Sequence, residues 1–430
     1  MPEGAARFVP RQMRGDGRCL HTTSWSDPGH KGLSDELKGE RMRLINWWGM
    51  QRGHGAEWRV GRIALAMLLA VPRVAASQAP RPLAAPSAAT DFAFNRLRQA
   101  VELPDGTLLV ADRGDDVLYH VRLDGSEPRA LLRKGRGPGE YQAVGSLFAI
   151  GADSVLFVDG FTGRWIVLRG AQVVGTVSDA RATNTTMGSA VLGASRSGRV
   201  LGVHGRSWRG KGPRSRETAD TLDALLGDVR ADGVDSVARL VGAGLSGMTE
   251  LSATRGGIRR MLMVNPLASA DDALLLPDGS IVVARTAPYR VDVRLPSGAW
   301  LRGPVIEPRG RTPTRADQCA AITELLSGSE PCEPEKLPGW PSAVPPFLPV
   351  RNIAPVPTML ADAQGRVIIA RTVDGGATRR RYDVIDRTGR RVQVLELALN
   401  QRLLGFGRAS VYVVETDDDR LQRITRHPWP

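Results

Sequence analysis

One six-residue pattern recurs six times along this chain and constrains its fold more than any other feature. Each copy has a polar or charged residue, four mostly β-branched or aliphatic residues, and a second polar or charged residue. The copies lie at 107–112, 154–159, 199–204, 280–285, 366–371 and 410–415. A continuous apolar run of this length is typical of a strand that is buried on both faces.

The residues around each copy repeat as well. A tight turn such as Asp105-Gly106 or Asp278-Gly279 stands before the copy, and another apolar run stands before the turn. An alternating segment such as 116–125 follows the copy and ends in a second glycine turn. Three strands joined by tight turns form a meander. The sequence therefore predicts one antiparallel meander for each copy.

The spacing of the copies indicates the architecture. Three neighbouring pairs begin 44 to 47 residues apart, whereas the other two intervals measure 81 and 86 residues. Meanders at a period near 45 residues are typical of propeller blades. The sequence thus predicts an all-β fold, a six-bladed β-propeller with two inter-blade insertions at about 206–268 and 302–356.

Some helix is expected in these insertions. Thr218 to Leu240 has a broken helical pattern, and Arg315 to Leu326 has a clearer one. Thr314 and Gly328 stand where an N-cap and a C-cap of the second helix belong. Because the last blade has about three strands of its own, we expect Pro82 to Phe94 to supply its outer strand.

The N-terminal region predicts export. Residues 50–76 have a basic start, a short apolar core and small residues before Ser77, which is the pattern of a signal peptide. We expect 1–49 to be a non-native upstream extension or disordered, and 77–430 to form the propeller. The mature chain is then a periplasmic or secreted protein with no transmembrane segment, and we expect a monomer.

The net charge of +13 does not by itself indicate a nucleic-acid partner. The basic residues are almost all arginine, and runs such as 379–381 and 390–391 are scattered along the chain. They also lack the interleaved aromatic residues on which bases stack. The sequence therefore predicts no nucleic-acid partner and leaves an unknown protein or a small anionic ligand.

Two of the three cysteines, Cys319 and Cys332, lie in the predicted mature chain. An even number of cysteines in an exported chain favours a disulfide, and we expect these two to be joined. Zinc binding is not expected, because no second Cys/His pair stands nearby at ligand spacing.

The predicted mature chain resembles the NHL-like or TolB-like six-bladed β-propeller proteins that many bacteria export. The residues that carry the resemblance are LPDGTLLVAD at 103–112 and GRGPGEYQ at 135–142. The resemblance extends over nearly all of 90–430. It implies the architecture and implies no established activity, because fold alone does not determine function.

The last position of each copy supplies the candidate site. Equivalent positions in successive blades lie on one face of the disc, and these positions hold Asp112, Asp159, His204, Arg285, Arg371 and Glu415. If the ring closes, Glu415, Asp112 and Asp159 form an acidic arc, whose carboxylates are ligands that Ca²⁺ prefers. The arginines form a basic arc that suits a carboxylate or phosphate. Solvated strand-end charges and internal ion pairs remain the alternative.

No catalytic constellation is visible in the sequence. Three histidines follow the predicted leader, and no G-x-S-x-G motif occurs. We therefore expect a ligand- or protein-binding module that is not an enzyme and needs no cofactor. The alternative is a Ca²⁺-dependent lactonase- or esterase-like hydrolase that uses the acidic arc.

Overall fold

A computed structural model gives the fold of the C-terminal part of the chain. The described residues are 80–162, 164–177, 190–206, 213–214, 221–228, 234–242, 248–253, 259–264, 267–308, 310–325, 340–348 and 357–430. They all belong to the second of two compact units, which begins at Arg73. Among them, no helix has the length and apolar character needed to cross a membrane. The predicted extension and signal peptide lie outside these residues, so both stay predictions.

Strands dominate the described residues. Strands β1 to β10 are Arg81–Pro82, Ala88–Ala89, Leu97–Glu102, Leu108–Asp112, Val117–Val121, Arg129–Ala130, Leu147–Ala149, Ser154–Val158, Trp165–Arg169 and Gln172–Val177. Strands β11 to β19 are Ala190–Ala194, Arg199–Arg206, Pro213–Arg214, Thr221–Asp228, Val234–Val241, Met248–Ala253, Arg259–Val264, Asp272–Leu275 and Ile281–Thr286. Strands β20 to β28 are Tyr289–Arg294, Trp300–Glu307, Met359–Ala361, Val367–Ala370, Arg379–Ile385, Arg391–Ala398, Gln401–Phe406, Ser410–Thr416 and Gln422–Pro428. Helix α1 is Arg315–Leu325.

Most of these strands form six antiparallel meanders of four strands. Meander I contains β3 to β6, meander II contains β7 to β10, and meander III contains β11, β12, β14 and β15. Meander IV contains β18 to β21, meander V contains β22 to β25, and meander VI contains β26 to β28 with β2. The repeated hexad forms the second strand each time, and its apolar residues are almost all buried, as the sequence predicts.

The meanders follow one another around a central axis. Their first strands contact each other in the cyclic order β3, β7, β11, β18, β22, β26 and back to β3. The buried core lies between neighbouring meanders, because six apolar clusters each combine residues of two adjacent meanders. One cluster joins the first meander to the last through Leu108, Val110, Tyr412 and Val414. This arrangement is a β-propeller, so the predicted fold class is confirmed at that level.

The N-terminal residues of the second unit complete the last sheet. Strand β2 pairs antiparallel with β28, and Thr90 forms two hydrogen bonds with Ile424. The backbone N–H of Thr90 donates to the Ile424 carbonyl at 2.9 Å, and the Ile424 N–H donates to Thr90 Oγ1 at 3.0 Å. The predicted contribution of 82–94 to the outer strand of meander VI is therefore confirmed.

The helical interpretation of Thr218 to Leu240 is wrong. This segment forms β14 and β15, the third and fourth strands of meander III. Its register places Leu226 opposite Leu201 and Ala224 opposite Val203 on β12, and all four side chains are buried. Cross-strand packing therefore outweighs the weak helical pattern, since strand propensity depends on neighbours more than on the local sequence.

Helix α1 in the second insertion begins and ends almost where the sequence predicts. Thr314 is its N-cap, because the Asp317 N–H donates to Thr314 Oγ1 at 3.2 Å. The Asp317 carboxylate in turn accepts from the Thr314 N–H at 2.7 Å, which completes a capping box. Cys319 lies on this helix, whereas Cys332 and Gly328 lie outside the described residues. The disulfide between Cys319 and Cys332 stays a prediction.

Candidate ligand-binding channel

The first strands of the six meanders enclose a central channel with a volume of about 150 Å³. Its walls are mostly apolar, with residues from all six first strands. The larger apolar side chains that line it are Leu147, Phe148, Leu192, Leu275, Met359 and Phe406. Small residues at other positions leave the central space open. A concave and largely apolar cavity with a few polar groups is the usual form of a small-ligand site.

The polar groups of the channel lie where the first strands begin. Arg98 lies near the start of β3, Ser146 directly precedes β7, and Asp272 begins β18. All six first strands run in the same direction along the axis. Their starts therefore lie at one end of the channel. This is also the end at which the hexads finish, since Leu97 on β3 pairs with Asp112 on β4. The channel is thus polar at one end and apolar beyond it.

Arg98 is the cation at this polar end. Its Nη2 donates to Ser146 Oγ at 3.3 Å, while its buried Nε has no hydrogen-bond partner among the described residues. No carboxylate in the described part of the chain lies within ion-pair distance of its guanidinium. Burial, and to a lesser degree the nearby charge of Arg113, lowers the pKa of Arg98 to about 10. Arg98 therefore remains charged at neutral pH, and the described residues provide no counter-ion for it.

Two neighbours of Arg98 also offer hydrogen-bond donors. The carboxamide oxygen of Gln99 accepts from the Leu147 N–H at 3.1 Å, so its NH₂ group is the part left to donate. The hydroxyl oxygen of Ser146 accepts from Arg98, so the hydroxyl hydrogen is left to donate. Arg98, Gln99 and Ser146 together present an excess of donors to this end of the channel.

Asp272 is the second charged residue of the channel and lies in meander IV, across the ring from meander I. It is buried, and its Oδ1 accepts from the backbone N–H of Ala273 at 2.9 Å. Its distance from Arg98 exceeds the ion-pair limit. Asp272 therefore marks the opposite wall and does not neutralise Arg98.

The predicted site residues have internal partners in most cases. Asp159 is buried, and its Oδ2 accepts from the Gln142 N–H at 2.8 Å and from Thr162 Oγ1 at 2.7 Å. Its Oδ1 accepts from the N–H groups of Ala143 at 3.2 Å and Phe161 at 2.9 Å. Burial alone would raise the pKa of this carboxyl, but the N–H groups of Phe161 and Gln142 keep the pKa below its usual value.

Asp112 has the same role in meander I. Its Oδ1 accepts from the N–H groups of Arg96 at 3.0 Å and Gly114 at 2.7 Å, and its Oδ2 accepts from the Asn95 N–H at 3.1 Å. In both meanders the carboxylate joins the segment that enters the first strand to the turn after the second. Asp112 and Asp159 are therefore structural.

Arg285 and Arg371 are ion-paired within the fold. Arg285 Nη1 donates to Asp271 Oδ2 at 2.8 Å, and Arg371 Nη2 donates to both oxygens of Glu307 at 2.8 Å. Arg371 Nη1 also donates to Asp383 Oδ2 at 3.0 Å. These arginines are not free to hold a ligand anion, since their donors already bind carboxylates.

The structure does not assemble the predicted acidic arc into a metal site. Within the described residues, no three His, Cys, Asp or Glu side chains are grouped so that they could hold a metal ion. The carboxylates of Asp112 and Asp159 each accept hydrogen bonds from backbone N–H groups of other residues nearby. Glu415 is exposed and lies in meander VI, which neighbours meander I in the ring. The metal assignment to Asp112, Asp159 and Glu415 stays a prediction. The side chain of His204 lies outside the described residues, although its backbone pairs with Asp223 on β14.

Sequence reasoning missed Arg98. The apolar run that indicates β3 begins at Ala100, so the preceding arginine lies outside the recognised pattern. The signal that could have identified Arg98 is its charge. A charged residue is unexpected in a first strand, because these strands line the axis of a propeller and have little contact with solvent.

Comparisons with known proteins give low similarity. No family model and no curated protein sequence matches the chain. Among solved structures, a catalytically inactive variant of virginiamycin B lyase from Staphylococcus aureus has 10% identity and a TM-score of 0.35, covering 78% of this chain and 98% of that one. A gluconolactonase from Xanthomonas campestris has 11% identity and a TM-score of 0.40, covering 78% and 87%. A member of the DUF4221 family from Bacteroides vulgatus has 9% identity and a TM-score of 0.38, covering 78% and 92%. The β-propeller architecture rests on the strand order and register described above.

Proposed function

We propose that the chain is an exported six-bladed β-propeller, with each meander as one blade, that binds a small ligand in its central channel. The observation that carries the proposal is the channel itself, an apolar cavity of about 150 Å³ with donors grouped at one end. The predicted signal peptide at 50–76 supports export, and a rigid ring of strands supports binding because the cavity is formed before the ligand arrives.

Binding without catalysis accounts best for the residues that line the channel. Arg98 and Asp272 are its only titratable side chains among the described residues. The two histidines with described side chains are committed elsewhere, His120 to Thr107 at 2.8 Å and His427 to Thr425 at 2.9 Å. Neither a nucleophile with a paired base nor a metal site is present in the described part of the channel.

Filling the channel tests this proposal. Ala149 lines the channel on β7, so Ala149→Phe places a ring in the cavity, whereas Ala130→Phe adds the same ring to the exposed outer strand of meander I. We expect Ala149→Phe to abolish the Tm increase that a bound ligand gives, and Ala130→Phe to retain it. Equal ligand responses in both variants would exclude the channel as the binding site.

A further inference from the structure

We propose that the channel ligand is a monoanion with an apolar body, and that its carboxylate binds Arg98 with hydrogen bonds from Gln99 and Ser146. This inference rests on the proposed function, since it identifies the chemical class of the ligand for the same channel. Support for this assignment has four parts, which concern the charge of Arg98, the neighbouring donors, the cavity volume and the number of cations.

The isolated charge of Arg98 is the first part. A guanidinium whose Nε is buried and that has no carboxylate partner destabilises a fold. Arg285 and Arg371 illustrate the paired case at equivalent ends of meanders IV and V. A counter-ion from outside the protein would give Arg98 the partner that the described residues do not supply.

The neighbouring donors are the second part. Gln99 and Ser146 have their acceptor oxygens occupied by Leu147 and Arg98, respectively. The groups left to a ligand at this point are N–H and O–H donors. A carboxylate offers only acceptors, with about four lone-pair sites on its two oxygens. The arrangement therefore favours an ionised acid over an amine, an alcohol or an amide.

The volume and lining of the cavity are the third part. A dry apolar cavity of about 150 Å³ is large enough for a molecule the size of benzene. The walls beyond the polar end include Val101, Ala149, Leu275 and Phe406. An apolar ring or a short branched chain attached to the carboxylate fits this space, whereas a sugar or a nucleotide is too large and too polar.

The number of cations is the fourth part. Arg98 is the only cationic residue that lines the described channel, and Asp272 lies on the opposite wall. A single arginine balances one negative charge. The channel therefore favours a carboxylate over a dianionic phosphate.

Benzoate and benzamide are matched probes, because they share shape and volume and differ in charge. We expect benzoate to bind the full-length protein at least 10-fold more tightly than benzamide in isothermal titration calorimetry. Arg98→Met should weaken benzoate binding by about 10- to 100-fold and leave benzamide binding unchanged. Arg98→Lys keeps the positive charge and loses the paired N–H donors of the guanidinium. Its affinity for benzoate should therefore lie between those of the parent protein and Arg98→Met. Inorganic phosphate is the third probe and should bind more weakly than benzoate.

The stability of Arg98→Met separates a binding role from a structural one. Removal of an unpaired charge should leave the Tm of the ligand-free variant equal to or above that of the parent protein. Arg122→Gln is the matched control, since Arg122 is exposed on meander I and lies outside the channel. It should change neither the Tm nor benzoate binding.

The outcomes distinguish this inference from the proposed function. Equal affinities for benzoate and benzamide, both lost in Ala149→Phe, would overturn the monoanion assignment and support the channel as a site. Tighter binding of phosphate than of benzoate would also overturn it. If neither aromatic probe binds and no small molecule co-purifies in native mass spectrometry, both proposals fail.

Discussion

At the scale of single residues, Asp112 and Asp159 show how one position can have two interpretations. Both carboxylates stand at the end of a hexad, where the sequence alone allows a metal ligand or a turn-stabilising group. The structure supplies the deciding fact, because each carboxylate accepts several backbone N–H groups from two separate segments. A buried carboxylate with this many donors needs no metal ion.

This structural role predicts the effect of removing the carboxylate. Asp159→Ala should destabilise the protein by about 2–4 kcal/mol, because the N–H groups of Gln142, Ala143 and Phe161 lose their acceptor inside the fold. Urea unfolding followed by tryptophan fluorescence measures this loss. Addition of Ca²⁺ should not change the Tm of either protein. A Ca²⁺-dependent stabilisation of the parent protein that Asp159→Ala lacks would contradict the assignment.

Arg98 marks the limit of sequence reasoning at this scale. Its environment depends on six first strands that are far apart in the chain and meet only when the ring forms. No local pattern around residue 98 indicates which side chains surround its guanidinium. The strand-end residues were predictable because they recur in the repeat, whereas Arg98 does not recur.

At the scale of elements, the second strands were the most predictable part of the fold. The four apolar residues of a second strand are almost all buried in every meander. The local sequence pattern was therefore sufficient to predict these strands. Strands β14 and β15 were not predictable in this way, because β14 pairs with β12 across a segment of irregular sequence and β15 pairs with β14. Helix α1 was predictable because Thr314 and Asp317 provide its capping box locally.

The capping box also ties α1 to meander V. Asp317 is buried and accepts from Arg311, which also donates to Asp374 Oδ1 at 2.6 Å, and the Gly375 N–H donates to Asp317 Oδ1 at 2.6 Å. The hydrogen bonds from Arg311 hold the pKa of Asp317 well below its usual value, although burial opposes this. A carboxyl with a lowered pKa adds stability above its unfolded-state pKa of about 4, and this stability is lost as the pH falls through the folded-state pKa.

Asp317→Asn tests this contact. The variant should be less stable than the parent protein by about 2 kcal/mol at pH 7. We expect no larger loss, because Arg311 is partly exposed and solvent screens its charge. The difference should shrink as the pH is lowered below about 4, because Asp317 of the unfolded parent chain then becomes protonated while the folded state keeps its carboxylate, which favours unfolding. Urea unfolding at pH 7 and pH 3 gives the comparison. An unchanged difference at the two pH values would show that charge has no part in the contact.

At the scale of the whole molecule, closure depends on a short strand from the start of the second unit. Strand β2 is two residues long, yet it completes meander VI and brings residues near 90 against the C-terminal strand. Strand β2 covers the outer edge of β28, which would otherwise present unpaired backbone groups for edge-to-edge association. The sequence indicated this closure through the incomplete strand count of the last repeat.

Thr90→Pro tests the closure directly. Proline removes both the N–H that donates to the Ile424 carbonyl and the hydroxyl that accepts from the Ile424 N–H. We expect a loss of about 2–4 kcal/mol and greater aggregation on heating, measured by calorimetry and light scattering. Ala85→Pro is the control, because Ala85 is exposed and lies outside the strand pairs. Equal stability of the two variants would show that β2 does not hold the ring closed.

A crystal structure of the protein soaked with 4-bromobenzoate shows whether the ligand binds on the axis, because anomalous scattering locates the bromine independently of the phases used for the protein. We expect a bromine peak on the central axis between the six first strands, with the carboxylate directed at Arg98. A bromine peak found only on the outer surface, or an axis filled by side chains with no space for the ring, would contradict it.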